Sequence, residues 1–281
     1  MSVTRRQTLP LLAALACLLG LVALAALVLG APAVRVRDNA ILHGFVALDR
    51  PSVHGKIDFL VHLGDPLPYA LAGLVCLGVA LARRRGWRAL AVVLLLPATE
   101  ITTQVLKHAL AEPRLTSWLP ANDQIGATAF PSGHSTAAMT VALCAVLVAP
   151  PALRAVTAVV GGAFAVAVGY GLLVLAWHFP SDVLGGFLVA GLWTSLAVAV
   201  LHRVEAPEPA QRVRWEPLVP VGGVVALVAA AAIGTRSDGV AIYALERPTL
   251  IVGALAIAAL ALALPATISA ASTRSNAGYS R

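Results

Sequence analysis

Apolar runs of membrane-crossing length recur along the whole chain, and nothing else in the sequence constrains its fold as much. A hydrocarbon layer about 30 Å thick takes roughly 20 apolar residues per helical crossing. Runs of that kind stand near residues 10–30, 66–82, 89–110, 134–150, 155–177, 183–201, 218–234 and 249–270. With 59% hydrophobic residues, 12% charged residues and a mean hydropathy of +0.86, the 281-residue chain has lipid as its main solvent. An ordinary water-soluble core is excluded. The expected fold is an all-α polytopic membrane protein, with six crossings followed by two more towards the carboxy terminus.

A net charge of +7 in a soluble chain would raise the question of nucleic acid. Here the basic residues sit in short connections between apolar runs, with no basic stripe and no interleaved aromatics. They read as orientation signals for insertion, and no nucleic-acid partner is expected. With the amino terminus inside, twelve of the twenty basic residues fall on the cytoplasmic side, and Arg83-Arg84-Arg85-Gly86-Trp87-Arg88 is the strongest element. Arg5 and Arg6 precede a first run that ends at Ala31-Pro32-Ala33, as in a secretory signal. Its apolar stretch from Leu11 to Leu29 exceeds the roughly 7–15 residues of a signal core, so an uncleaved helix is expected. Cys17, Cys76 and Cys144 each lie within an apolar run without C-x-x-C spacing and read as small buried residues, with no disulfide.

Between about residues 35 and 65 the chain turns polar, and Ile41, Phe45 and Leu48 recur at helical spacing among Arg37, Asp38, Asp49 and Arg50. An external amphipathic helix fits that pattern. The Pro- and charge-containing stretch from His202 to Pro217 is the one clear linker. The expected organisation is therefore a first crossing and external segment (1–59), a central core (60–201), a cytoplasmic linker (202–217), and two further crossings with a tail (218–281).

Polar residues able to do chemistry gather at Lys107 to Arg114, Pro131 to His134, and His178 to Asp182. The first group closes the third run, the second opens the fourth, and the third joins the fifth to the sixth. Alternate crossing puts all three on one membrane face, whichever face is outside. Lys107 is one of only two lysines among the twenty basic residues, with six residues between it and Arg114; two cations at a membrane surface also serve as snorkelling anchors. Pro131-Ser132-Gly133-His134 stands where a span begins, so its hydroxyl and free amides make an anion-binding helix start that Gly lets a ligand approach. A plain turn and cap is the alternative. His178 and Asp182 are one helical turn apart, which places a carboxylate beside the imidazole, fixes its tautomer and leaves the other nitrogen as a nucleophile. The bland reading is an interface histidine with a capping aspartate. With His134 the pair would also make part of a two-His, one-carboxylate metal site, a weaker reading for want of another acidic ligand.

Taken in order, Lys107-x6-Arg114, Pro131-Ser132-Gly133-His134 and His178-x3-Asp182 resemble the three motifs of the type-2 phosphatidic acid phosphatase family, which shares its catalytic core with the vanadium haloperoxidases. The resemblance covers roughly residues 60–201 and implies a six-helix phosphatase-like core, with the last two crossings as an extension. It also implies a metal-free, cofactor-free hydrolysis of a phosphomonoester or diphosphate through a phosphohistidine. In that scheme His178 attacks phosphorus, Asp182 orients it, and His134 protonates the leaving oxygen. Lys107, Arg114, Ser132 and the Gly133 backbone hold the non-bridging oxygens. The implied substrate is a lipid phosphate or prenyl diphosphate, received from the bilayer at the outer face of a bacterial cell membrane. The rival reading is a degenerate lipid-phosphate binding or transport protein without turnover.

Two departures from the family pattern bear on that choice. The first motif of the family ends Arg-Pro, whereas Leu115 follows Arg114; its third begins Ser-Arg, and those positions are Gly171 and Leu172. Loss of one donor to a developing oxyanion costs about 10² to 10³ in rate. Arg50, Lys56, Arg236 and Arg247 are placed on the same face, and His108 is beside Lys107. Glu100, seven residues before Lys107 and about 10 Å deeper, is expected to be hydrogen-bonded inside the bundle near Thr103 or Gln104. His43, His54, His62 and His202 read as solvated or interfacial, and Trp118, Trp177 and Trp215 as interfacial anchors. If another cation substitutes for the missing guanidinium, alanine at one of Arg50, Lys56, His108, Arg236 or Arg247 will lower phosphate-releasing turnover by more than a few-fold. Unchanged turnover in all five variants would rule substitution out.

Overall fold

The structure is a computed structural model, and it describes residues 7–114, 116–119, 125–206 and 246–273. Among these residues there are helices and no strands. In chain order they are α1 (Thr8–Gly30), α2 (Pro32–Val46), α3 (Pro51–His62), α4 (Pro66–Ala82), α5 (Gly86–Ala109), α6 (Gly133–Val148), α7 (Arg154–Val174), α8 (Pro180–Val204) and α9 (Pro248–Thr273). The expected crossing at 218–234, most of the 202–217 linker, Trp215 and Arg236 lie outside the described residues.

Proline opens α2, α3, α4 and α8, where its fixed φ suits the first turn and its missing N–H is no loss. The helices α1, α5, α7, α8 and α9 are long and apolar enough to cross a membrane, and α3 with α4, bent by 56° at the Leu63–Asp65 break, makes a sixth candidate span. The polar 35–65 segment is thus two helices joined by a turn: Phe45 is buried, Ile41 and Leu48 pack against the core, and the second helix adds Ile57, Leu60 and the buried Val61.

At the centre stands α6, packed by α4, α5, α7, α8 and α9. Twelve of its sixteen residues are buried, and its composition is apolar or small all round, the pattern of an interior helix rather than a one-sided one. Without water to expel, helices in lipid associate through close packing of small residues and a few hydrogen bonds. Both devices are present. A Cβ at Gly161 would stand 2.9 Å from the Ala142 Cβ, and one at Gly162 would stand 2.8 Å from the Ala261 carbonyl oxygen of α9. Between α5 and α6, the Thr103 hydroxyl lies 3.2 Å from that of Thr136 and the Thr140 hydroxyl 3.3 Å from that of Thr99. Helix α1 lies along α8, so the bundle draws on the 1–59 segment as well as on 60–201, and α9 joins it by packing on α7 and α8. Cys17, Cys76 and Cys144 are free and buried.

The two ends of the bundle differ in chemistry. At one end, Arg83 and Arg88 donate to the Val148 and Leu147 carbonyls at the close of α6, and Arg154 donates to the Ser272 carbonyl of α9. Cations at helix carboxy termini complement the free carbonyls and the negative end of the helix dipole. Arg88 also pairs with Glu205 at 3.0 Å. At the other end, the close of α5 and α7 meets the start of α4, α6 and α8, and this is where Lys107, His134 and His178 lie. Glu100 accepts from Gln104, one of its two expected neighbours, at 2.6 Å, but the pair lies on the exposed side of α5 rather than inside the bundle, while Thr103 turns inward to Thr136.

The contact between α6 and α8 is the tightest near this polar end. A Cβ at Gly186 would stand 2.2 Å from the Ser135 Oγ, 2.6 Å from the Ser132 carbonyl oxygen and 2.8 Å from the Thr136 Oγ1. Two of those atoms belong to side chains that also bond the same backbone, so the helices cannot keep their spacing with alanine there. Gly186→Ala is expected to lower the thermal midpoint in detergent by the equivalent of about 1–3 kcal/mol. Gly78→Ala, where a Cβ meets nothing within 4 Å inside α4, is the control that leaves it unchanged or slightly raised.

Candidate active site

Ser132 sits just before α6 and serves as its N-cap, its Oγ accepting from the Ser135 amide at 3.3 Å. This meets the plain capping expectation, but the tetrapeptide is also tied to α8: the Ser132 N–H donates to the Asp182 carbonyl at 2.9 Å, and the Ser135 hydroxyl donates to the Val183 carbonyl at 3.2 Å. Gly185 and Gly186 make that approach feasible, since a Cβ at Gly185 would stand 2.7 Å from the Phe130 ring. Ser132 is fully buried, whereas Gly133 and His134 remain partly exposed at the helix start.

His178 is delivered by an abrupt end to α7. Ala176 adopts φ 57°, its N–H donates to the Leu173 carbonyl at 3.2 Å, and the Trp177 N–H donates to the Leu172 carbonyl at 2.9 Å. This is the paired hydrogen-bond pattern of a Schellman cap, with alanine where glycine is usual. A left-handed alanine costs roughly 1–2 kcal/mol, strain that fixes the direction in which Trp177 and His178 leave the helix. Asp182, in the first turn of α8, accepts from the Phe179 N–H at 2.9 Å through Oδ2, the same oxygen that lies 3.5 Å from the His178 Nδ1. The imidazole nitrogen is buried and has no hydrogen-bond partner at this distance. Such contacts are often long in a ligand-free site and close when substrate is bound.

Arg114 is the most heavily engaged of the candidate residues. Its Nη2 donates to the Asp182 Oδ1 at 3.1 Å and to the Ser181 hydroxyl at 3.0 Å, its Nη1 donates to Asp38 of α2, and its guanidinium lies 4.4 Å from the Phe179 ring centroid. Asp38 in turn accepts from the Ser181 N–H at 3.0 Å and the Ser181 hydroxyl at 2.6 Å. The amphipathic pattern counts Asp38 among the polar residues of the external helix. The structure corrects this: Asp38 is 5% exposed, and with Asp182 it brackets one guanidinium. Burial pushes the Asp38 carboxyl above its ordinary range against the opposing pull of Arg114, with the Asp182 charge adding to the rise. Arg114 and Arg35 line a cavity of about 270 Å³ with Pro32, Asn39 and Phe179.

Lys107 lies in the last turn of α5, and its Nζ comes within 3.7 Å of where a Cβ on Gly133 would be. Neither a carboxylate nor a hydrogen-bond acceptor holds it among the described residues. Opposite, His134 meets the edge of Trp177 with ring centroids 5.4 Å apart, and His62 meets Trp177 from another side at 5.3 Å. Trp177 therefore stands between two histidines at the rim rather than acting only as an interfacial anchor. The His134 Nε2 is 2.9 Å from the Asp65 Oδ1, a carboxylate in the turn before α4.

The structure thus brings Lys107, Gly133, His134, His178 and Asp182 to one end of the bundle, with Arg114 behind Asp182. Leu172, at the position where the family has arginine, is fully buried in the apolar core, and Gly171 lies under α3, where a Cβ would stand 2.7 Å from the Val61 Cγ2. Arg50 and Lys56 are exposed, and the His108 Nδ1 bonds the Gln104 carbonyl oxygen at 2.8 Å. Asp38 and Asp65 are the two polar contributors that sequence motifs missed. Asp65-Pro66 at a helix start was the available signal for one; nothing in the spacing marked the other.

Comparison with known proteins agrees with this geometry. Residues 86–205, from the start of α5 to just past α8, match the model of the PAP2 superfamily. Among solved structures, the crystal structure of the first transmembrane PAP2 type phosphatidylglycerolphosphate phosphatase, from Bacillus subtilis, is similar to this chain with 26% identity and a TM-score of 0.59. The match covers 68% of this chain and 97% of that one. No curated protein matches the chain. Over the matched helices, which carry the motif residues of the site, the chain is similar to the membrane-embedded members of the PAP2 superfamily.

Proposed function

We propose that this protein is a membrane phosphatase that hydrolyses a lipid phosphate or prenyl diphosphate through a phosphohistidine. The observation that carries the reading is the convergence of His134, His178 and Lys107 around the free amide end of α6, a site shaped for an oxyanion at the membrane boundary. The superfamily match over residues 86–205 and the transmembrane phosphatase neighbour support the same class of reaction.

In this mechanism the His178 Nε2 attacks phosphorus while Asp182 holds the Nδ1 side of the ring. His134 gives its proton to the departing oxygen, and water then releases phosphate from the imidazole. Lys107 and the Gly133 amide take up charge spreading over the non-bridging oxygens. The Arg114 guanidinium, shared between two carboxylates, fixes Asp182 and keeps part of its charge at the site. A substrate whose tail stays in the bilayer suits a site at the helix ends, and phosphatidylglycerolphosphate belongs to that class. The arginine-capped end of the bundle is taken as cytoplasmic, so the site faces outward.

Purified protein is expected to release phosphate from dioleoyl phosphatidate or a polyprenyl diphosphate. His178→Ala should lower that release by about a thousand-fold or more, since the covalent route is lost. Persistence in EDTA with block by vanadate would mark the metal-free phosphoryl transfer; no release from any lipid phosphate would favour the binding protein. For orientation, the three native cysteines are buried. A membrane-impermeant maleimide should therefore label Lys56→Cys in intact cells and Arg203→Cys only after permeabilisation; the reverse pattern would place the site inside.

A further inference from the structure

The turn between α3 and α4 supplies a carboxylate that lies outside all three sequence motifs and outside the matched residues 86–205. Asp65 immediately precedes α4, in the position where an aspartate side chain ordinarily accepts from the second or third amide of the helix. It makes no such bond. Its Oδ1 instead lies 2.9 Å from the His134 Nε2. The neighbouring Gly64 lets the turn close over the imidazole: a Cβ there would stand 3.2 Å from the His134 Cα and Cβ and 3.1 Å from its Cδ2, and two of those atoms are fixed by α6 itself. Trp177 meets the ring from another direction at 5.4 Å. The imidazole is thus oriented by a carboxylate, a backbone turn and an aromatic edge, while its other nitrogen has no protein partner among the described residues.

We propose that Asp65 is a positioning residue that holds His134 as the acid and then the base of the reaction, an inference that rests on the phosphatase reading above. An ionised carboxylate bonded to one ring nitrogen fixes the tautomer and favours the imidazolium. Burial is the largest influence against a positive charge on that ring, and His178 after α7 and Lys107 of α5, the other charged or titratable groups near it, oppose it too. Asp65 is the counterweight. In the first half-reaction a bond forms between His178 nitrogen and phosphorus as the bond from phosphorus to the lipid oxygen breaks, and the His134 proton passes to that oxygen. In the second, a water oxygen bonds to phosphorus as the phosphorus–nitrogen bond breaks, and His134 takes the proton of the water, which restores the imidazolium and frees phosphate. Asp65 gives and takes no proton in either step.

The test is leaving-group dependence in the full-length protein in detergent. Dioleoyl phosphatidate departs as an alkoxide that needs a proton; p-nitrophenyl phosphate departs as a stabilised phenolate that does not. Asp65→Asn, a near-isosteric change at a part-exposed turn, should lower turnover of phosphatidate about 100-fold, in the range that general acid catalysis contributes, with KM little changed. The pre-steady-state burst of nitrophenolate should remain close to wild type, and Asp65→Glu should recover part of the phosphatidate activity. A loss equal for both leaving groups, or no loss, overturns the proposal; if Asp65→Asn does not fold, Asp65→Ser is judged by the same ratio. Wild-type protein that releases nothing from either substrate overturns the phosphatase reading itself, and this inference with it.

Discussion

Everything at the polar end of the bundle depends on how closely α6 can approach α8. The Ser132 amide donating to the Asp182 carbonyl, and the bare Gly185-Gly186 backbone beneath Phe130, Ser132 and Ser135, lock the start of one helix to the start of the other. Asp182 cannot move without moving the Pro131–His134 turn. Because His178 leaves α7 by a fixed left-handed cap and lands beside Asp182, the two imidazoles inherit their separation from a backbone contact rather than from their own side chains. In a medium where expulsion of water offers little, this is an economical way to define a site: small residues set the distance, and buried hydrogen bonds set the register.

Charge is handled by enclosure. A buried carboxylate is costly unless a partner compensates it, and here one guanidinium serves two carboxylates while stacking on Phe179. Removing either carboxylate leaves the other paired; removing Arg114 leaves both exposed to each other's field. Helix α2 is therefore not a surface ornament, since its Asp38 closes the network from outside the matched residues 86–205. The Lys107 ammonium, by contrast, has no carboxylate to neutralise it among the described residues and stays available to an incoming anion.

Much of this was legible in the chain. Apolar runs of crossing length located α1, α4, α5, α6, α7, α8 and α9, and the order of the three motifs placed them on one face before any geometry was known. Cys17, Cys76 and Cys144 read correctly as small buried residues. What was not legible depended on pairings across long sequence separations. Asp38 looks like one polar residue of an amphipathic turn, because only Ser181 and Arg114, brought in by other helices, give it a buried role. Asp65 looks like a helix cap, because its spacing to Pro66 is that of one. Glu100 was assigned to the interior on depth alone, and rotation about the helix axis put it outside. At Gly171 and Leu172 the sequence showed a loss, whereas the structure shows what the loss admits: α3 pressed against the end of α7, with Val61 in the space a side chain would fill.

The brevity of α6 has its own consequence. At sixteen residues it is about 24 Å long, several ångströms less than the hydrocarbon thickness that its longer neighbours cover. Because its neighbours surround it, the lipid does not meet this shortfall directly; descent of the substrate's polar group below its resting level makes up the difference at a modest cost for every ångström. Turnover in reconstituted vesicles would then respond to acyl-chain length, fastest in thin bilayers and slower as they thicken, a dependence set by one helix that stops short.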